Sequence, residues 1–141
     1  MEGRSWAMVA HLAFFANVWF PFSGFVAVIL IYTLRRSDDA FAREHFRTAL
    51  NYEITVSLFN AIAIGGYLVA FFSTFIAGAR HGQEMTHGAM PQTNFLVVMA
   101  FVGAIAIVGI ASAILSGFGA RAAWCGRTFR YPVSIPWVRS A

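Results

Sequence analysis

The stretch that decides the fold is Phe41-Ala-Arg-Glu-His-Phe-Arg-Thr-Ala-Leu-Asn-Tyr-Glu-Ile-Thr55. It begins with charged side chains, contains no Gly or Pro, and leads into a run that stays apolar as far as Gly78. An α-helix rises ~1.5 Å per residue, so Glu53 lies about 9 Å beyond Arg47 along the axis, below the lipid headgroups. We predict that this stretch is a helix that enters the membrane from water and continues as a span.

The composition of the chain is that of an integral membrane protein. Of its 141 residues, 59% are hydrophobic and 11% are charged, and its mean hydropathy is +0.67. A soluble domain of this length needs more charge to cover its surface. The net charge of +4 comes from ten arginines without any lysine, and these cluster at the ends of apolar runs, where they anchor spans in the headgroups. We therefore expect contact with membrane lipids and no binding of nucleic acid.

The first apolar block, from Trp6 to Leu34, is too long for one straight span. As a single helix it would measure roughly 43 Å, against a hydrocarbon core of about 30 Å. Pro21 removes a backbone donor in its middle, and Ser23 and Gly24 add turn character. Two arrangements remain: a single kinked span, or a hairpin of two short helices near residues 3–19 and 21–36.

Together the segments predict an all-α integral membrane helical bundle of about four helices. Pro132 and Pro136 prevent a regular helix near the C-terminus. We predict a single transmembrane domain over residues 1–141, divided into a broken helical block (1–36), an amphipathic entry helix and long span (37–78), an outer loop (79–93), a last span (94–125) and an interfacial tail (126–141).

The arginines also predict the orientation of the chain. Eight of the ten lie on one side, because two spans separate Arg47 from Arg121, while Arg80 occupies the opposite loop. The positive side faces the cytoplasm, so we expect a multi-pass protein of the bacterial inner membrane with a cytoplasmic C-terminus. The hairpin would place Arg4 on that side too, which favours it over the kinked span. The predicted interfacial anchors are Arg35, Arg36, Arg43, His45, Arg47, Trp124, Arg127, Arg130, Tyr131 and Trp137.

Polar side chains inside the long span form the candidate functional site. Glu53, Ser57 and Asn60 are spaced i, i+4 and i+7 and share one helix face, with Asn51 and Thr55 on an adjacent polar edge. In the hairpin, His11 reaches a similar depth, and we expect it to contact Glu53 or Asn51. Two interpretations of this intramembrane polar cluster stay open: a lined cavity or proton-accepting site, or a clasp that fixes helix packing through hydrogen bonds.

Small residues recur along the last span at spacings that place them on one side of the helix. Such residues let a second helix approach closely, either within the protein or from a partner chain. The predicted helix-packing positions are Gly109, Ser112, Ala113, Ser116 and Gly117.

Catalytic motifs are absent from the sequence, which has no GxSxG, HExxH, CxxC or glycine-rich phosphate loop. His81, Glu84 and His87 have a spacing that metal ligands can use, but the neighbouring glycines disfavour the rigid helix that would align them. The single cysteine, Cys125, excludes an internal disulfide. We expect no enzymatic activity, no metal and no cofactor.

Several motifs together carry a resemblance to a known family. They are His11-Leu12, Pro21, Arg35-Arg36, Phe41-x3-His45-x3-Ala49-Leu50-Asn51-x-Glu53-Ile54-Thr55, and Arg130-Tyr131-Pro132. In order and spacing the chain resembles a bacterial membrane family of unknown function grouped with the Tic-type import component of the chloroplast inner envelope. The resemblance implies a bundle of about four helices with both termini cytoplasmic. The plastid relatives belong to a protein-conducting machine.

The sequence therefore predicts a non-enzymatic inner-membrane protein that is an accessory or structural subunit of a larger membrane complex. Its expected partners are other integral membrane proteins, which the small residues of the last span and the aromatic and arginine side chains of the tail would contact. The alternative is a small transporter or channel, such as a Tic-like translocation component, that uses the polar face around Glu53.

Overall fold

A computed structural model of the chain describes residues 2–34, 39–80 and 92–138. Within these residues the secondary structure is entirely helical, as predicted, with α-helices α1 (Glu2–Leu12), α2 (Ser23–Leu34), α3 (Ala40–Arg80) and α4 (Gln92–Trp124). A 3₁₀ helix (Ala13–Val18) continues directly from α1. The all-α membrane helical bundle is thus confirmed.

Two of the helices are long and apolar enough to cross a membrane. They are the segments Ala40–Ser73 of α3 and Phe95–Trp124 of α4. Large apolar side chains on both helices point outward, including Val69 (72% exposed) and Ile107 (70% exposed). Outward-facing side chains of this kind are stable against lipid, because hydrocarbon tails are as apolar as the side chains themselves.

The first apolar block forms the hairpin and not the kinked span. Ala10 and Val28 pack into the same buried core, although one continuous helix would separate them by about 27 Å. The chain reverses between Trp19 and Phe22, and Phe22 adopts a positive φ of 70°. A Cβ at Gly24 would lie 2.9 Å from the carbonyl oxygen of Ala13, so the return helix can approach this closely only with glycine.

The first arm of the hairpin differs from its predicted form. We expected an α-helix over residues 3–19, whereas α-helical winding ends at Leu12 and a 3₁₀ helix follows to Val18. The tighter, longer-rising 3₁₀ helix is common where an α-helix gives way to a turn. It carries Asn17 to the turn, where the side-chain oxygen of Asn17 accepts a hydrogen bond of 2.8 Å from the N–H of Gly24.

By its contacts the chain divides into two units, and the first comprises residues 1–58 and 110–141. Its hydrophobic core contains Ala42, Phe46, Ala49 and Leu50 of α3, which recur at the spacing of one helix face. The small residues on that face let Val28 of α2 become fully buried against them. As a result, the beginning of α3 lies at the centre of the first unit, although it also carries charged residues.

The second unit comprises residues 59–109. In it, Gly66 of α3 lies against the ring of Phe101, and a Cβ at that position would be 2.8 Å from the ring carbons. The absence of a side chain at Gly66 therefore lets the two helices pack closely here. The predicted outer loop falls mostly outside the described residues, since α3 extends to Arg80 and α4 begins at Gln92.

The small residues of α4 divide into two groups. Ser112 and Ser116 are buried, whereas Gly117 is exposed, and no atom of the described chain lies within 4 Å of a Cβ built at Gly109 or Gly117. Ala113 is half-buried. The closest approach instead involves Gly119, where a Cβ would lie 2.7 Å from Nδ1 of His11.

Gly119→Ala is expected to destabilise the protein because the added methyl group displaces the His11 ring. Overpacking of this kind costs about 1–3 kcal/mol, so we expect the melting temperature in detergent to fall by roughly 5 °C or more. Gly117→Ala is the matched control, since its methyl group meets no atom of the described chain. An equal change in melting temperature for the two variants would contradict the contact between His11 and Gly119.

Candidate functional site

The C-terminal tail (residues 125–138) is positioned by the way α4 ends. The N–H of Gly126 donates to the carbonyl oxygen of Ala123 (3.1 Å) and the N–H of Arg127 to that of Ala122 (2.9 Å). This pair of bonds is a Schellman motif, which requires the left-handed backbone that Gly126 provides with φ +71°. The guanidinium of Arg4 packs against Gly126, and a Cβ there would lie 3.0 Å from it. The tail therefore leaves α4 beside the start of α1.

A row of buried hydrogen bonds connects the tail to α1 and α3. Nδ1 of His11 lies 2.7 Å from the hydroxyl oxygen of Tyr131, and Nε2 of His11 lies 2.8 Å from Nδ1 of His45. At the far end, Nε2 of His45 lies 3.1 Å from the carbonyl oxygen of Arg127. All three side chains are 6% exposed or less.

When both imidazoles are neutral, the carbonyl group at the end of this row fixes the direction of every bond. A carbonyl oxygen can only accept, so Nε2–H of His45 donates to Arg127, and Nδ1 of a neutral His45 must accept from Nε2–H of His11. Nδ1 of His11 then accepts from the Tyr131 hydroxyl. The row is fully satisfied when both imidazoles are neutral, and a second proton on His45 would set its Nδ1–H against the Nε2–H of His11.

Tyr131 joins the row to the aromatic side of α3. Its ring stacks on Tyr52 with centroids 3.7 Å apart and an interplanar angle of 5°. Burial raises the pKa of the Tyr131 phenol above its usual value, so the hydroxyl stays protonated and remains a donor. The buried Ser116 hydroxyl lies near the Tyr131 oxygen, although its geometry falls short of a hydrogen bond with any described group.

Asn51 and Thr55 of α3 hold the last part of the tail. The side-chain oxygen of Asn51 accepts from the N–H of Val138 (2.7 Å), and its amide donates to the Val138 carbonyl oxygen (3.2 Å). The Thr55 hydroxyl accepts from the N–H of Ile135 (3.2 Å) and from the indole N–H of Trp137 (3.3 Å). These side chains supply the partners that an irregular segment lacks. We call the set His11, His45, Asn51, Thr55 and Tyr131 the tail clasp.

Glu53 belongs to a separate contact. Its carboxylate accepts a hydrogen bond of 3.2 Å from the side-chain amide of Asn17, and the residue is 2% exposed. The expected contact of His11 with Glu53 or Asn51 is therefore wrong, because His11 lies beside His45, two helical turns before Glu53. Asn17 was not among the predicted site residues. Its position in an apolar block, shortly before Pro21, is the sequence signal that marks it.

The remaining residues of the predicted cluster stand apart from these contacts. Ser57 and Asn60 are half-buried, and neither makes a hydrogen bond to any group in residues 2–34, 39–80 or 92–138. Of the residues predicted to form this cluster on α3, Glu53 therefore contacts Asn17 and Asn51 contacts Val138, while Ser57 and Asn60 take part in neither contact. Asn51 and Glu53 are buried, but helical spacing did not reveal what either of them contacts.

The predicted anchors also separate into groups. His45 and Tyr131 lie in the interior and not at the surface, because the tail folds back over α3 and covers both. Arg47 is half-buried and forms an ion pair with Glu44. Arg35 and Arg36 lie outside the described residues, as do His81, Glu84 and His87. The exposed anchors are Arg43, Trp124, Arg127, Arg130 and Trp137.

The fold and the tail clasp define a helical membrane protein whose C-terminal tail is held against α1 and α3. Comparison with known families is more specific. Residues 2–138 match the model of the magnetosome magnetite crystal formation protein family, MamF/MmsF, and the chain belongs to this family. No curated protein and no solved structure matches the chain.

The family assignment corrects the resemblance drawn from the sequence. The chain is a member of a named family of magnetosome membrane proteins and not of one related to the Tic-type import component. The residues that suggested the resemblance include His45, Asn51 and Tyr131, which here hold the tail. A packing device of this kind does not specify an activity.

Asn51→Ala is expected to release the end of the tail, because it removes both hydrogen bonds to Val138. Trypsin should then cleave after the exposed Arg127 and Arg130 several-fold faster, since cleavage follows the population of locally opened chain. Asn60→Ala is the control: it deletes the same amide from the same helix at a half-buried position. Equal cleavage rates for both variants and the unaltered protein would show that Asn51 does not hold the tail.

Proposed function

We propose that the chain is a non-enzymatic, multi-pass protein of the magnetosome membrane that contributes to magnetite crystal formation by packing against other membrane proteins. The observation that carries this proposal is the tail clasp. Its buried polar side chains are engaged with each other and with the tail backbone, which is the arrangement of a structural device. Because the chain belongs to the magnetite crystal formation family, magnetite crystal formation is the process in which such a subunit would act.

The surface proposed for packing is the exposed side of α4 around Gly117. In lipid, helices associate through van der Waals contact, and small residues allow the close approach that this needs. A Cβ at Gly117 or Gly109 would meet no atom of the described chain, so the space beside each glycine is open to a helix of another protein. Ser112 and Ser116 are buried, so they pack within the chain and are not part of this surface.

Gly117→Leu is expected to separate the chain from its complex while leaving its own fold intact. We predict that the unaltered, tagged protein, gently solubilised from its native membranes, migrates far above its own 15.5 kDa. The leucine side chain would fill the open space and lower that native mass. In cells, magnetite crystals should then differ in size from those made with the unaltered chain, as measured by electron microscopy.

Ala111→Leu is the matched control for this experiment. Ala111 is an exposed small residue of the same helix, about 120° around the axis from Gly117. It should leave both the native mass and the crystals unchanged. Migration of the unaltered protein as a lone monomer, or the same loss of mass with both variants, would contradict packing through Gly117.

We further propose that the protein lies in a membrane derived from the bacterial inner membrane, with its C-terminus in the cytoplasm. The contact of Arg4 with Gly126 supports this, because it puts the N-terminal arginine at the same end of the first unit as Arg127 and Arg130. A cluster of arginines at one end is the pattern that faces the cytoplasm.

Cys125 allows a direct test of the orientation, since it is exposed and is the single cysteine of the chain. A membrane-impermeant maleimide should label it in inverted vesicles and leave it unlabelled in intact spheroplasts. Cys125→Ser reports the background labelling. Labelling in intact spheroplasts would place the C-terminal tail on the outer side.

A further inference from the structure

A polar groove of about 460 Å³ lies between α3 and the C-terminal tail within the first unit. We propose that this groove binds a phosphate group, held by the guanidinium of Arg130 together with the hydroxyls of Thr48 and Ser134. Lipid headgroups and free inorganic phosphate share this chemistry. The site is independent of the function proposed above.

Unused donors line the groove. Arg130 is exposed, and no carboxylate of the described chain forms an ion pair with it. The hydroxyls of Thr48 and Ser134 are half-buried, and neither makes a hydrogen bond to a group in the described ranges. Three side chains from two segments thus present free N–H or O–H groups to one space.

The acceptors around the same space are already occupied. The carboxylate of Glu44 is paired with Arg47, and the amide of Asn51 holds Val138. The Tyr131 hydroxyl donates its proton to His11. With Glu44 and Arg47 cancelling, Arg130 leaves the groove with a net positive charge. Its best complement is an anion with several acceptor oxygens, because guanidinium groups bind such oxygens in charge-assisted pairs.

The depth of the groove also suits a phosphate. Arg47 is the last arginine before α3 becomes apolar, which sets it at the level of the headgroups. The groove is larger than a bare phosphate ion, so a phosphate ester fits as well. The side chains that would hold the anion come from α3 and from the tail, so the tail clasp is what assembles the site.

The test uses the full chain in dodecyl maltoside, a detergent without phosphate, and two probes. Dioleoyl phosphatidylglycerol is titrated and its binding is read by native mass spectrometry. Inorganic phosphate is titrated at constant ionic strength and its binding is read by thermal stabilisation. We expect at least one probe to bind saturably with one molecule per chain, and that probe identifies the source of the phosphate group.

Arg130→Gln is expected to weaken this binding roughly ten-fold, the loss of one charge-assisted contact. Ser134→Ala keeps the charge and is expected to weaken it by a few-fold. Arg43→Gln is the matched control, because it removes the same charge from an exposed position of α3 that does not line the groove. Failure of both probes to bind saturably, or equal weakening by Arg130→Gln and Arg43→Gln, would overturn the proposal.

Discussion

The first unit of the structure depends on the buried row of hydrogen bonds that links the Tyr131 hydroxyl, through His11 and His45, to the carbonyl oxygen of Arg127. The row ends at a backbone carbonyl, which can only accept, so each earlier donor and acceptor is determined in turn. A typical internal hydrogen bond contributes about 0.5–1.5 kcal/mol net, whereas leaving a buried partner unsatisfied costs about 1–3 kcal/mol. The row therefore specifies where the tail lies more strongly than it adds to stability. It also explains why Gly119 carries no side chain, since a Cβ there would strike the same ring nitrogen.

A second constraint is that the first arm of the hairpin contacts α3 at two separate positions along its length. His11 contacts His45, and Asn17 contacts Glu53. Six residues of the hairpin arm must therefore match eight residues of α3, a distance of ~12 Å, while α-helical winding of the arm would cover only ~9 Å. The 3₁₀ helix Ala13–Val18, which rises ~2.0 Å per residue, extends the arm to ~11–12 Å. The change of winding, which the sequence pattern did not reveal, is the geometry that lets both contacts form.

Apolar length and a single proline were enough to predict the spans and the break in the first block, since both express the thickness of the bilayer and the chemistry of Pro21. The same reasoning could not predict which groups the buried polar side chains would hydrogen-bond to. The tail was expected to lie among the headgroups, yet its two prolines leave it without a regular backbone, and its N–H groups at Ile135 and Val138 find side-chain acceptors on α3. Those acceptors, Thr55 and Asn51, were visible as buried polar residues. Only the path of the tail shows what they hold.

The tail clasp also determines what the chain can offer to other molecules. Because its imidazoles, amides and hydroxyls are engaged internally, the clasp stiffens the first unit, and the surface left for other proteins in the membrane is the outward side of the long helices. Association in lipid rewards closely matched surfaces, which a rigid helix presents better than a mobile one. Under the packing role proposed above, a residue such as Tyr131 would act on crystal formation without touching a partner. Its substitution would make the first unit less rigid, and with it the exposed side of α4 around Gly117.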